Sequence, residues 1–237
     1  HRLGFVEADL PHLCDLLVKH SDQIVVQTIF SHLSSSEDPH DDEYTHNQAK
    51  TLITYYDYIT SNLGYKPAKH ILNSSGIIRF PEYHFDFVRL GLGLYGIDGT
   101  NIFTDKLEKV HTLKASVVQL KHLNASETIG YNRKGMLTHD GKIAIINIGY
   151  ADGLMRLAGN GKYSVRIRGR EYLIIGNVCM DLTIIDLGND DNIQIGDEVI
   201  IFGKDKPIED LADACQTIPY EILTRISGRI KRSYVNA

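Results

Sequence analysis

The sequence predicts an α/β fold followed by β structure. Residues 1–107 are expected to form part of a (β/α)8 barrel of the TIM type, and residues 108–237 a mostly antiparallel β domain. Helical segments alternate with short apolar runs in the first stretch, which is typical of a parallel α/β layer. Short apolar runs separated by turns such as 159–161 fill the second stretch, which is typical of antiparallel sheets. The first stretch holds too few strands for a whole barrel, which needs eight and roughly 250 residues.

The spacing of apolar residues predicts the elements of the first stretch. Asp9 is the predicted N-cap of a first helix. The buried face of that helix is expected to carry Leu13, Leu16 and Leu17. A long amphipathic helix is predicted over residues 41–63. The predicted strands of this stretch are 24–30, 69–73 and 87–91.

In the second stretch the apolar runs are short and bounded by turn residues, so each one predicts a strand. These strands are 115–120, 143–148, 164–167, 173–175, 182–185 and 199–202. Two further apolar segments follow them. A helix is predicted over 207–215, and a last helix or turn over 220–226.

Composition limits the classes of function. A hydrophobic content of 43% and a charged content of 23% are those of a soluble globular protein. The net charge of -5 argues against nucleic-acid binding, and no apolar run approaches the roughly 18 residues of a membrane span. The three cysteines are odd in number and widely spaced, which favours a reducing cytoplasm. The chain opens on His1 rather than methionine, and we expect that it has been cut from a longer protein.

Polar residues at the ends of predicted strands are the first candidates for chemistry, because loops after the strands form the working face of an α/β barrel. His32 follows the first strand; it is either a functional group or a core histidine held by a backbone hydrogen bond. Residues 73–75 suit an anion, although an ordinary turn explains them as well. Arg89 lies in an otherwise apolar strand before Gly91, so its guanidinium must find a partner.

Three features of the remaining sequence allow more than one interpretation. Tyr150 follows an apolar run and Gly149, and its phenol is either a packed aromatic ring or a chemical group. The segment 179–181 is either a pocket wall or an edge turn. The histidines and carboxylates of 40–46 have a metal-like composition, but we interpret them as the acidic start of a helix and predict no metal.

Six motifs lie in order along essentially the whole chain. They are His1-Arg2-Leu3-Gly4, Phe30-Ser31-His32-Leu33, His70 with Asn73-Ser74, Val88-Arg89 with Gly91 and Tyr95-Gly96, Gly149-Tyr150-Ala151-Asp152-Gly153, and Cys179-Met180-Asp181. Together they resemble the alanine racemase family, whose members are pyridoxal-phosphate enzymes of fold type III. Each motif alone is modest, but six in register make chance a poor explanation.

The resemblance implies a role for each matching residue. Tyr150 would be the acid or base on one face of the substrate α-carbon, and His70 would hydrogen-bond it with Arg2 close by. Met180 and Asp181 would line the substrate entrance. The implied cofactor residues are His32 against the pyridine ring, Arg89 facing the pyridine nitrogen, and Ser74 with the amides of Gly91 and Leu92 on the phosphate. A free tyrosine has a pKa of about 10, so a phenol that works near neutral pH needs positive charge or donors beside it.

The resemblance also implies a substrate and partners. The parent enzyme would interconvert L- and D-alanine with pyridoxal 5'-phosphate for peptidoglycan synthesis. It would be a head-to-tail homodimer, in which Tyr150, Met180 and Asp181 reach the barrel of the partner subunit. A fusion behind a ligase of peptidoglycan-precursor synthesis would suit a chain that opens in this way.

The sequence departs from the family at three places. The lysine that binds the cofactor covalently lies in a Lys-Ala-Asn-Ala-Tyr-Gly motif, which these 237 residues do not contain. We therefore expect this chain to be the C-terminal part of such an enzyme and to be inactive alone. Asn177 stands where many members have arginine, and Gly228 where some have a phosphate-binding tyrosine.

Two other functions are compatible with the sequence. One is a binding or structural homologue that has lost catalysis. The other is a racemase of a different amino acid, such as serine or lysine, because the width of the pocket depends on how the domains pack.

Overall fold

The computed structural model describes residues 1–235 and divides the chain into two compact units. Unit 1 spans His1–Glu108, and unit 2 begins at Lys109. Each unit has its own secondary structure and its own core, so the two are described separately.

Unit 1 is an α/β unit with a small parallel sheet. Its helices and strands are α1 (Leu10–Lys19), β1 (Thr28–Phe30), α2 (Asp42–Leu63), β2 (Ala68–His70) and α3 (Ser74–Arg79). Strands β1 and β2 pair in parallel, with Thr28 opposite Ala68 and Phe30 opposite His70. Because both strands run in the same direction, the residues that follow them emerge at the same edge of the sheet.

Helix α2 covers this sheet. It begins at Asp42 and ends at Leu63, which confirms the helix predicted over 41–63. Gly64 takes a left-handed conformation with φ of 73° and stops the helix. The α2 residues Ala49 and Leu52 pack in one core cluster with Ile71, which is fully buried just after β2.

The strand predicted over 24–30 is wrong in its first half. Only Thr28–Phe30 pairs with a neighbouring strand, and Val25 is 63% exposed. The amide of Val26 donates to the hydroxyl of Tyr65 (2.9 Å) and not to a strand. An apolar run therefore became a strand only where a partner backbone was within reach.

The next two predicted strands are also shorter than expected. The strand expected over 69–73 ends at His70, because Asn73 accepts a hydrogen bond from the amide of Gly76 and caps α3. The stretch 87–91 has one isolated bridge to β2, between Phe87 and His70, and no regular ladder.

The first predicted helix exists with Asp9 at its N-cap position, but its buried face differs from the predicted one. The carboxylate of Asp9 accepts from the amide of Val6 (2.9 Å), so it makes no capping hydrogen bond to α1 itself. Leu16 is 41% exposed, whereas Leu10 and Cys14 are the buried residues of the helix.

Unit 2 is built on an antiparallel sheet. Its elements are β3 (Leu113–Leu123), β4 (Thr128–Ile129), β5 (Gly135–Met136), β6 (Gly141–Ile146), β7 (Ser164–Ile167), β8 (Arg170–Leu173), β9 (Thr183–Gly188), β10 (Glu198–Phe202), α4 (Ile208–Ala214) and α5 (Pro219–Arg225). The main sheet has the order β8-β7-β10-β3-β6-β9, and β4 pairs with β5 alone. Every pair in the main sheet is antiparallel, as the sequence predicted.

The sequence missed β4 and β5, which are two residues each, and misplaced β8. The turn at Arg168 and Gly169, with φ of 49° and 80°, reverses the chain directly after β7. Pairing therefore starts at Arg170 rather than at residue 173. Strand β6 lies between β3 and the edge strand β9, and its last residue, Ile146, is fully buried. No helix within residues 1–235 has both the length and the apolar character that crossing a bilayer requires.

Candidate active site

The guanidinium of Arg89 lies at the edge of the unit 1 sheet where β1 and β2 end. Its Nη2 donates to the carbonyl oxygens of Ser31 (2.9 Å) and Ile71 (3.1 Å), one residue beyond each strand. The same Nη2 lies 3.0 Å from Nδ1 of His32, and Nη1 contacts Nδ1 of His70. The arginine that the sequence placed in an apolar strand thus finds partners at both strand ends.

These contacts determine the tautomers of the two histidines. A guanidinium can only donate, so Nδ1 of His70 accepts from Nη1. Nδ1 of His32 shares the two hydrogens of Nη2 with the carbonyls of Ser31 and Ile71, and it cannot itself donate to that nitrogen. Each ring is then neutral and carries its hydrogen on Nε2. Burial and, after it, the charge of Arg89 lower the pKa of both imidazoles, and Arg2 further lowers the pKa of His32.

The structure therefore brings Arg2 into the same electrostatic neighbourhood. Its charge also lowers the pKa of Arg89, after the larger effect of burial. The ring of Phe30 stacks on the ring of His70, with centroids 4.9 Å apart and planes 9° apart. The Arg89 guanidinium lies over the same phenylalanine ring at 5.3 Å. The result is a cationic group framed by neutral rings and carbonyls.

A turn of small residues lies beside this group. The hydroxyl oxygen of Ser74 accepts from the amides of Gly91 (2.9 Å) and Gly93 (3.2 Å). This leaves the hydroxyl hydrogen of Ser74 as a donor at the turn. A Cβ at Gly93 would lie 2.7 Å from Cδ1 of Leu90 and 3.7 Å from the hydroxyl oxygen of Ser74, so this glycine sits among side chains. Leu92 opens the short 3-10 helix that follows, Leu92–Tyr95.

In unit 2, Tyr150 lies on a tight turn that is joined to segment 179–181. Its amide donates to the carbonyl of Cys179 (3.0 Å), and the amide of Ala151 donates to the carbonyl of Met180 (3.0 Å). A Cβ at Gly149 would lie 2.5 Å from the carbonyl carbon of Met180, so only glycine fits. The side chain of Tyr150 is 44% exposed, which leaves its phenol accessible.

The phenol of Tyr150 borders a cavity of about 470 Å³ within unit 2. The other residues that line this cavity are Gly153, Met155, Arg156, Leu157 and Arg225. Arg225 forms an ion pair with Glu221 one helical turn earlier (2.8 Å). The guanidinium groups of Arg156 and Arg225 thus lie at the same cavity as Tyr150.

Met180 and Asp181 are exposed, and neither lines this cavity. The carboxylate of Asp181 accepts from Nη2 of Arg229 (2.6 Å). Nε of the same arginine donates to the buried carboxylate of Asp152 (2.7 Å). Sequence reasoning missed Arg229 and the role of Asp152, because the pairs span 48 and 77 residues.

The predicted site residues therefore fall into two groups. His32, His70, Ser74, Arg89, Gly91, Leu92 and Arg2 belong to unit 1, whereas Tyr150, Met180 and Asp181 belong to unit 2. Within unit 1 the arginine, the histidines and the glycine turn lie around one strand edge.

The histidines and carboxylates of 40–46 have ordinary partners. Asp42 begins α2 and pairs with Arg79 (2.6 Å), and His46 contacts the hydroxyl of Tyr83 (2.8 Å). Within residues 1–235, no group of three or more histidine, cysteine or acidic side chains is arranged to hold a metal ion.

Asn177 and Gly228 have different surroundings. Asn177 is buried, and its amide group donates to the carbonyl of Tyr131 (2.9 Å) while its oxygen accepts from Asn160 (3.1 Å). It therefore joins three loops of unit 2. A Cβ at Gly228 would meet no atom within 4 Å.

The parallel strand edge with its arginine and the antiparallel second unit define a two-part α/β and β architecture that family models recognise. The model described as "Alanine racemase, C-terminal domain" matches residues 110–234. The model described as "Alanine racemase, N-terminal domain" matches residues 1–99. The chain belongs to the alanine racemase family.

Individual relatives agree with the family match. The chain is 33% identical to an alanine racemase of Aeromonas hydrophila over 238 residues, which cover 99% of the chain and 64% of that relative. It is 37% identical to one of Thermodesulfovibrio yellowstonii over 240 residues, which cover 99% of the chain and 62% of that relative. The chain thus spans a little under two thirds of the length of these relatives.

Solved structures of alanine racemases have the same fold. One from Streptomyces lavendulae superimposes with a TM-score of 0.88 at 30% identity, over 100% of this chain and 64% of that chain. One from Bartonella henselae, described with covalently bound pyridoxal phosphate, gives 0.84 at 31% identity, over 99% of this chain and 63% of that chain. These neighbours have a TIM-like barrel plus a β domain. The antiparallel sheet of unit 2 agrees with that β domain.

Proposed function

We propose that this chain is part of an alanine racemase that interconverts L- and D-alanine with pyridoxal 5'-phosphate. Residues 1–107 are then the C-terminal half of the cofactor-binding (β/α)8 barrel, and residues 108–237 are the C-terminal β domain. The observation that carries the proposal is the guanidinium of Arg89, held at the ends of two parallel strands by carbonyls and neutral histidines. Curated relatives named alanine racemase over 99% of the chain support it.

The residues of unit 1 fit the cofactor. The phosphate of the cofactor needs hydrogen-bond donors and a backbone that no side chain blocks. Ser74 offers its hydroxyl hydrogen, and Gly91 and Gly93 lie beside that hydroxyl without side chains. The pyridine nitrogen of the cofactor needs a neighbour that either donates or accepts a hydrogen bond. Arg89 donates only, so it would meet an unprotonated nitrogen. His32, beside Arg89, would pack against the ring, and the amide of Leu92 would add to the phosphate site.

When bound, pyridoxal phosphate withdraws electrons from the α-carbon of an amino acid and so acidifies its hydrogen. The task of this chain is to move that hydrogen. Tyr150 would take or return it at one face of the α-carbon through its exposed hydroxyl. His70 would assist, because its Nδ1 accepts from Arg89 and its Nε2–H is left to donate to the phenol oxygen.

A hydrogen bond donated by His70 and the nearby charge of Arg2 would both stabilise negative charge on the phenol oxygen while the hydrogen is being moved. Met180 and Asp181 would line the route by which the substrate enters. This division of labour requires a head-to-tail homodimer, in which Tyr150 of one subunit serves the barrel of its partner.

Two further aspects of the parent protein follow from the family. The three cysteines are free thiols, which agrees with a reducing cytoplasm as its location. A fusion to a ligase of peptidoglycan-precursor synthesis stays a prediction, and the coding sequence around these residues tests it.

Tyr150→Phe in the protein expressed from its complete reading frame is the test of the proposed function. Racemisation of L-alanine in the presence of pyridoxal phosphate is measured by loss of optical rotation. We expect kcat to fall by about 100-fold or more, because general acid–base groups contribute about 10²- to 10⁴-fold.

Tyr58→Phe is the matched control, since this residue is 41% exposed on α2 and lies outside the site. It should retain activity. Serine and lysine are assayed beside alanine. A protein that turns over neither enantiomer of any of the three would contradict the proposal, and so would a Tyr150→Phe variant with full activity.

A further inference from the structure

Arg229 joins two segments of unit 2 that carry functional residues of the proposed site. Its Nε donates to Asp152 in the Tyr150 turn (2.7 Å), and its Nη2 donates to Asp181 beside Met180 (2.6 Å). The two carboxylates therefore meet on one guanidinium. Their hydrogen bonds, that to Asp152 first, raise the pKa of Arg229, so this residue is charged throughout the working range of pH.

Asp152 makes this contact matter for Tyr150. Asp152 is 5% exposed, and its Oδ2 accepts from the amide of Gly149 (2.9 Å), the residue directly before Tyr150. One carboxylate oxygen thus fixes the start of the turn, while the other is held by Arg229. Removing the cation would leave this buried carboxylate without its partner, which is strongly destabilising.

The chain around Arg229 reinforces the contact. The amide of Ser227 donates to the carbonyl of Asp152 (3.0 Å). Asp152 is therefore bonded to this segment both through its backbone and through its side chain. A Cβ at Gly153 would lie 2.7 Å from the carbonyl oxygen of Arg225, so the turn and the end of α5 also touch directly. The far side of the turn is bonded to Cys179 and Met180 through the amides of Tyr150 and Ala151.

We propose that Arg229 is a positioning residue: it clamps the Tyr150 turn to the Met180–Asp181 segment and so fixes the direction of the Tyr150 phenol. The inference rests on the proposed function only for its catalytic consequence. The clamp itself is a property of unit 2. A lysine could not replace the arginine fully, because one ammonium lacks the fork that reaches both carboxylates.

The test compares three variants of the complete protein. Arg229→Met removes both hydrogen-bonded pairs, and Arg229→Lys keeps the charge. Arg168→Met is the matched control, because Arg168 is similarly exposed and makes a two-nitrogen pair with Asp197 (2.9 and 2.8 Å) at the β7–β8 turn. Amide hydrogen exchange is measured by mass spectrometry on peptides that cover 149–153 and 179–182, and kcat and KM are measured for alanine.

We expect exchange in both peptides to rise about tenfold in Arg229→Met and to stay unchanged in Arg168→Met. We also expect kcat to fall by about 10- to 100-fold, the scale set by small displacements of a catalytic group, with Arg229→Lys recovering part of the loss. Unchanged exchange overturns the clamp. Raised exchange with an unchanged kcat overturns the positioning role.

The exchange measurement needs no turnover, so it separates this inference from the proposed function. If the unaltered protein does not racemise any amino acid while exchange rises as expected, the clamp stands and the proposed function fails.

Discussion

A methyl group added at Gly149 gives the most direct check on the packing of the Tyr150 turn. In Gly149→Ala the new Cβ would lie 2.5 Å from the carbonyl carbon of Met180, and closer still to the carbonyl oxygens of Cys179 and Met180. These are backbone atoms, so no flexible side chain can swing aside. The two segments must separate.

The cost follows from two contributions. Overpacking of a fitted site costs about 1 to 3 kcal/mol. Separation also strains the hydrogen bonds from Tyr150 to Cys179 and from Ala151 to Met180, each worth about 1 kcal/mol. Together we expect a loss of roughly 2 to 4 kcal/mol in the free energy of unfolding, or about 5 to 15 °C in Tm.

Urea unfolding followed by circular dichroism measures the loss. Gly228→Ala is the control, since a Cβ there meets nothing within 4 Å, and it should change stability by less than about 0.5 kcal/mol. If Gly149→Ala unfolds at the same urea concentration as Gly228→Ala, the close approach of these two backbone segments is refuted.

Two pH dependences follow from other contacts. His32 and His70 have lowered pKa values in the folded chain. The unfolded chain therefore binds more protons than the folded chain does, and stability should fall as the pH drops from 7 to 5. Arg89→Met should make that fall shallower, as urea unfolding at the two pH values will show; an unchanged slope would contradict the role of the guanidinium. Burial raises the pKa of Tyr163, whose hydroxyl donates to the carbonyl of Ile201 (2.5 Å), so stability should fall as the pH rises above about 10. Tyr163→Phe should lose about 1 kcal/mol at pH 7 and show a weaker alkaline fall, whereas an equally steep one would count against the assignment.

The parts of the fold that local pattern determines could be predicted from the sequence. Helix α2 has a long apolar face, and its predicted bounds agree with the structure to one residue. The antiparallel strands β7 and β10 are short apolar runs between turns, and they lie where the pattern put them. Both cases need only the repeat of apolar residues along the chain.

What failed depends on partners distant in sequence. The apolar residues 24–26 fit a strand pattern, yet the ladder with β2 covers only 28–30, and one more hydrogen bond reaches the carbonyl of Gln27. Strand β8 begins early because the turn at Arg168 and Gly169 brings Arg170 opposite Ile167, whereas the apolar run that predicted the strand starts only at residue 173.

In the candidate site, too, local sequence patterns identified single residues but not their distant partners. Strand ends marked His32 and Arg89 as candidates, and the family motif marked His70. Only the parallel register of β1 and β2 brings both histidines onto the guanidinium of Arg89. Arg229 left no local signal, because both of its carboxylate partners lie more than forty residues away. Asp152 lies within the Tyr150 motif, but its burial, which calls for a partner, is visible only in the fold.

The central claim is that Tyr150 moves a hydrogen at one face of an amino-acid α-carbon. Deuterium incorporation from D2O into L-alanine and into D-alanine, followed separately by NMR with the complete protein and its Tyr150→Phe variant, tests it most directly. The account predicts that the variant loses exchange from one enantiomer far more than from the other. Equal rates from both enantiomers in the variant, at the level of the unaltered protein, would contradict it.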